Sequence, residues 1–133
     1  AGVIDIGIEG KLLCGAFVAM VVVFTTGSPL AGTAAAAVAG IALASVSAAL
    51  ILYRGANQVV VGTAVNILSA GVTGVAYRAV FGVTGAALTV AAPETWRIAG
   101  LASLPIVGEA FFAQTWLGYL AFALVPAAAW FLF

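Results

Sequence analysis

Long apolar stretches separated by short polar breaks set the pattern of this 133-residue chain. A helix that crosses the hydrocarbon core of a bilayer needs about 20 apolar residues, each rising 1.5 Å. Residues 30–53 meet that need with 24 residues and no charge, and residues 58–77 and 115–133 are likewise uncharged. Residues 12–26 fall short alone, reaching roughly 22 Å. They follow an apolar lead-in, Gly2 to Gly10, that three glycines and the carboxylates of Asp5 and Glu9 interrupt before Gly10 closes it. The pattern points to a discontinuous membrane helix, irregular before Leu12 and helical after it. Such backbone is tolerated at membrane depth where protein or a wet cavity satisfies it. The alternative is an interfacial segment that leads into a short, tilted helix.

The breaks carry their own signals. Gly27-Ser28-Pro29 reads as a turn with Pro29 at the start of the next helix. Arg54 to Asn57 reads as a short polar connection. Residues 78–114 are too long for a structureless loop in a compact protein. Within them, Pro93-Glu94 and Gly100 predict a short helix, with Trp96 and Arg97 at the headgroup level. Pro126 removes a backbone donor and predicts a kink near Phe122.

Composition agrees with a membrane setting. Hydrophobic residues make up 65% of the chain and charged residues 6%, with mean hydropathy +1.30. Soluble domains carry about 25% charged residues because water must solvate their surface. The expected class is therefore an all-α, polytopic membrane protein of about four membrane segments, forming a single, partial transmembrane domain over residues 1–133. The ends, Ala1 without Met and Phe133 inside an apolar stretch, suggest a fragment of a longer chain. The absence of histidine removes His-based catalysis and zinc sites. Cys14 stands alone, Lys11 is the single lysine and is followed by Leu12, and the four basic residues are scattered. A disulfide within the chain, a phosphate loop and a nucleic-acid footprint are thereby excluded. No catalytic residue, metal or cofactor is expected.

The polar residues inside the spans are the functional candidates. Asn66, Ser69 and Thr73 recur at i, i+3 and i+7 and share one face of their helix. An amide in hydrocarbon is costly unless paired, so Asn66 faces either another helix or a wet pathway, and three polar groups on one stripe favour a pathway. Asp5 and Glu9 are either pathway or gate residues, or ions satisfied by local backbone and Lys11. Gly32, Ala36, Gly40, Ala44 and Ala48 recur every four residues as a small-residue face for close helix packing. The basic residues divide two against two between alternating sides, Lys11 with Arg54 and Arg78 with Arg97, and leave orientation open.

The opening segment, Asp5-Ile6-Gly7-Ile8-Glu9-Gly10-Lys11-Leu12-Leu13-Cys14-Gly15-Ala16, resembles the N-I-G-I-E-G-x-x-L-x-G-A stretch of ABC importer permeases. These serve ribose-type sugars, branched-chain amino acids and nucleosides. A second stretch, from Arg54-Gly55-Ala56-Asn57 through Gly62 and Asn66 to Leu68, resembles the nucleoside-type branch. So does the region from Gly71 to Gly85, with Thr73-Gly74, Tyr77-Arg78 and Phe81-Gly82. Asp5 departs from the Asn usual in that branch, while the ribose-type proteins carry an Ile-Asp-Leu-Ser-Val-Gly version. The resemblance implies a pathway-forming subunit for a nucleoside-like or simple-sugar solute in the bacterial plasma membrane. It implies membrane lipid, a second permease subunit, cytoplasmic ATP-binding subunits and an extracytoplasmic solute-binding protein as partners. It also implies that residues 78–114 are extracytoplasmic and that Arg54 to Asn57 are cytoplasmic. A secondary transporter or a non-transport membrane scaffold is the competing class.

Overall fold

In the computed structural model, residues 5–82, 91–97 and 111–132 are described. They fall into two compact units, residues 1–91 and 92–133.

The first unit is three helices, α1 (Ile8–Thr26), α2 (Pro29–Arg54) and α3 (Gln58–Phe81), of 19, 26 and 24 residues. All three are long and apolar enough to cross a membrane. Glycines in the left-handed region, Gly27 and Gly55, with φ of 70° and 61°, end α1 and α2 and reverse the chain within a few residues. Pro29 opens α2 as its position predicts, and Ser28 caps that helix by accepting the Ala31 N–H at 3.4 Å. Asn57 caps α3 through the Val59 N–H at 2.9 Å.

Two boundaries differ from expectation. α1 begins at Ile8 rather than Leu12, so Glu9, Gly10 and Lys11 are helical and the irregular lead-in is confined, among the described residues, to residues 5–7. The earlier start gives α1 a length of about 28 Å, close to the hydrocarbon thickness of about 30 Å. The extended half expected over residues 2–4 lies outside the described residues. α3 runs one turn past Tyr77 to Phe81, where the Phe81 ring meets Phe24 edge-on at 5.2 Å and Tyr77 at 5.1 Å. Aromatic pairs of this geometry add to area burial.

α1 is the central helix: it packs extensively on both α2 and α3, which touch each other little. α2 runs antiparallel to α1, and the predicted small-residue face explains part of their contact. A Cβ on Gly32 would collide with Val23 Cγ2, and one on Gly15 would rest 3.6 Å from the Ala36 carbonyl. Gly40, on the same stripe, has nothing within 4 Å of its Cβ direction. α3 runs parallel to α1, with Gly7 near Gly62 and Phe24 near Phe81. Because α2 and α3 diverge, an apolar groove of about 340 Å³ opens between them, lined from α1 by Cys14.

The second unit corrects one expectation. Residues 95–97 are not part of a short helix: β1 (Thr95–Arg97) pairs antiparallel with β2 (Ala113–Thr115), with Trp96 opposite Gln114. Thr and Trp favour extended backbone, and a partner strand distant in sequence completes the pairing. The Gly100 end of that expected helix lies outside the described residues. α4 (Trp116–Leu132) follows, with Pro126 inside it. Thr115 precedes α4 rather than joining it, and its hydroxyl accepts the Gly118 N–H at 3.4 Å. The Tyr119 hydroxyl donates to the Trp96 carbonyl at 3.2 Å, and the Phe111 and Phe122 rings stack at 5.7 Å. With 17 residues, α4 reaches about 25 Å, shorter than the three spans of the first unit.

Candidate functional site

The polar groups of the first unit gather where α1 begins. The first N–H groups of any helix lack intrahelical partners, and in lipid each must find one within the protein. Gly7 stands at the N-cap of α1 and offers no side chain. The missing acceptor comes from α3: Asn66 Oδ1 accepts the Gly10 N–H at 2.8 Å. Gly10 is the third residue of α1, the position an N-cap side chain normally serves. The same amide donates from Nδ2 to the Ile6 carbonyl at 3.1 Å. One side chain thus holds both sides of the transition from irregular lead-in to helix.

This bridge requires backbone-to-backbone contact. A Cβ on Gly10 would lie 2.8 Å from both the Asn66 Cα and the Val65 carbonyl oxygen. A Cβ on Gly62 would lie 2.8 Å from the Gly7 nitrogen and 2.9 Å from Ile6 Cβ. Gly7 and Gly10 belong to the opening motif, and Gly62 and Asn66 to the second. The opening stretch and the second stretch of the family resemblance are therefore the two sides of one helix crossing.

Charge lies beside the crossing. Asp5 accepts the Gly7 N–H through Oδ1 at 3.1 Å and pairs through Oδ2 with the Lys11 ammonium at 2.5 Å. The Lys11 side chain is only 12% exposed, whereas that of Asp5 is 50% exposed. Both border a hollow of about 140 Å³ whose other walls are α2, through Ala44, Ser47, Ala48 and Ile51, and the start of α3, through Gln58, Val61 and Gly62.

The structure keeps the polar stripe of α3 together and gives its members different partners. Asn66, Ser69 and Thr73 do share a face, and it is turned toward the interior of the unit: Ser69 and Thr73 are buried. The Asn66 amide is engaged by the backbone at the start of α1, and the Thr73 hydroxyl donates to the Ser69 carbonyl at 2.6 Å. Asp5 has the local backbone and Lys11 as partners. Glu9 is exposed on the first turn of α1, where the helix dipole favours a negative charge, and has no partner among the described residues. Sequence reading missed Ser47 and Gln58, whose types are unremarkable and whose proximity to Lys11 arises only from the return of α2 and α3. Among the described residues, no cluster of His, Cys, Asp and Glu could hold a metal ion.

Three helices long and apolar enough to cross a membrane, with a polar crossing at the head of one of them, define a segment of a polytopic membrane protein. The chain belongs to the branched-chain amino acid transport system / permease component family, whose model matches residues 1–133. It is 37% identical over 137 residues to TsgC13 of Haloferax volcanii, described as a glucose ABC transporter permease protein; the match covers 100% of this chain and 40% of that protein. It is 29% identical to the guanosine ABC transporter permease protein NupQ of Bacillus subtilis, over 99% of this chain and 43% of that protein. The nucleoside ABC transporter permease protein NupC of Lactococcus lactis is also 29% identical, over 98% of this chain and 43% of its own length. The chain spans about two fifths of the length of these curated relatives. No solved structure matches it. Family and helices together make it a multi-pass segment of a plasma-membrane protein.

Proposed function

We propose that this chain is part of the pathway-forming subunit of an ATP-binding-cassette importer for a nucleoside-like or simple-sugar solute. The observation that carries the reading is the match of the whole chain to three permeases whose named solutes are glucose, guanosine and nucleosides. ATP hydrolysis then resides on separate cytoplasmic subunits, and a second permease subunit and an extracytoplasmic solute-binding protein complete the machine. Of the expected pathway residues, Glu9 and Asp5 remain candidates for direct contact, on the support of their exposure. Asn66 serves the pathway indirectly, by holding the start of α1 against α3, while Ser69 and Thr73 lie buried on the same face of α3. By the same reading, residues 54–57 face the cytoplasm and residues 78–114 are extracytoplasmic.

Uptake of radiolabelled guanosine and glucose by cells expressing the full-length permease with its ATPase subunits and binding protein tests the reading. ATP-dependent accumulation of one of them is expected. Uptake that persists without the ATPase subunits would establish a secondary transporter instead, and uptake of neither solute would remove the assigned substrate class. Orientation is checked with Cys14 replaced by Ala. A cysteine introduced at Glu94 should then react with an impermeant thiol reagent added outside, and one at Asn57 should not.

A further inference from the structure

We infer that the hollow bounded by Asp5, Lys11, Ser47 and Gln58 is a contact site for hydroxyl groups of the transported solute, an inference that rests on the importer reading above. Three helices and the lead-in meet there around one space of about 140 Å³, where Asp5 and Lys11 supply a carboxylate and an ammonium, Gln58 also lines the wall, and the Ser47 hydroxyl donates to the Leu43 carbonyl of its own helix at 2.8 Å. The space persists because the intervening wall residues are small: Ala44, Ala48 and Gly62.

Burying a charge is costly unless it is well paired and hydrogen-bonded. The Lys11 side chain is 12% exposed, and its partner Asp5 is half exposed and also holds the Gly7 N–H. An ammonium has three donors and a carboxylate about four acceptor positions, so the ion pair leaves capacity on both members. A solute ring bearing neighbouring hydroxyls complements such a pair. One hydroxyl donates to the Asp5 carboxylate while the adjacent oxygen accepts from Lys11. Charge-assisted hydrogen bonds of this kind are about twice as strong as neutral ones. Lys11 stands one turn into α1 and Gln58 is the first residue of α3, so the hollow lies at an end of the helix unit, where a solute enters or leaves.

The test uses the full-length permease with its ATPase subunits and binding protein, and compares uptake of the transported solute with a series of its mono-deoxy analogues. Wild type should discriminate against at least one analogue. In Lys11→Met that discrimination should shrink by about tenfold, the scale of one lost hydrogen bond to a charged group. A Lys11 that merely staples the lead-in to α1 would lower uptake of solute and analogues alike, leaving the ratio unchanged. That result overturns the inference while the importer reading stands. The charge-swapped pair Asp5→Lys with Lys11→Asp sharpens this, because full recovery of uptake and of discrimination also identifies a staple. Should Lys11→Met fail to assemble, Asp5→Asn, the other member of the pair, takes its place, and an unchanged ratio there overturns the inference equally. If wild type takes up no hydroxylated solute, the importer reading for this solute class fails first.

Discussion

The three membrane helices of the first unit begin in two different ways. α2 and α3 carry their own caps, Ser28 and Asn57, placed immediately before the helix they serve. α1 starts at a glycine and is capped by Asn66, 56 residues away from Gly10, on a different helix. A local cap makes a helix start independent of its neighbours. A distant cap makes the start of α1 conditional on α3 being in place. The difference ties the most charged part of the unit, with Asp5, Glu9 and Lys11, to the crossing of α1 and α3 at Gly10 and Gly62. A shift of α3 along α1 would release the lead-in together with the ion pair beside it.

The largest break in this comparison should come from Gly10→Ala. Its Cβ would stand 2.8 Å from two backbone atoms of α3, which cannot swing away as a side chain can. Overpacking of this kind costs about 3 kcal/mol, so the midpoint of thermal unfolding in detergent should fall sharply, and an unchanged midpoint would refute the contact. Asn66→Leu comes next. It removes a cap worth about 1 kcal/mol and a second membrane hydrogen bond worth about 0.6 kcal/mol. Amide hydrogen exchange should accelerate at Gly10 before it does in the middle of α1. Acceleration spread evenly over the helix would mean that Asn66 does not act at its start.

Asn57→Ala should cost less, about 0.5 kcal/mol, because its cap lies on an exposed linker where water can take over part of the bond. Faster exchange confined to the first turn of α3, with α1 unaffected, would separate local from distant capping. Exchange changes at Gly10 in this variant would erase the distinction. Gly40→Ala should have the smallest effect, since nothing lies within 4 Å of the added methyl. The unfolding midpoint of this chain should stay the same or rise slightly through better helix propensity. A loss seen only in the full-length permease would locate another helix against that face of α2.

Much of the architecture was legible in the residues because membrane helices are specified by composition and length. The span over residues 30–53, the turn at Gly27-Ser28-Pro29 and the connection before Gln58 all follow from apolar run length and from the backbone preferences of Gly and Pro. The strand at Thr95 to Arg97 was not legible, because its hydrogen-bond partner lies at residues 113–115 and a three-residue strand has too short a pattern to announce itself. The start of α1 was misplaced by one turn for a related reason: the acceptor that lets Gly10 be helical belongs to Asn66.

What the sequence determined by itself is the solvent of this protein, the number of long spans and the family, all of which depend on local composition and on motifs read in order. It also marked Asn66 as a residue that must be paired, since an amide in hydrocarbon cannot be left alone. Only the tertiary structure decided what pairs it. The choice between helix contact and pathway rests on which backbone lies within about 3 Å of the amide, and that depends on the parallel packing of α3 on α1, which no local pattern encodes. The same packing placed Gly62 against Gly7, turned Ser69 and Thr73 inward, and set Lys11 beside Ser47 and Gln58.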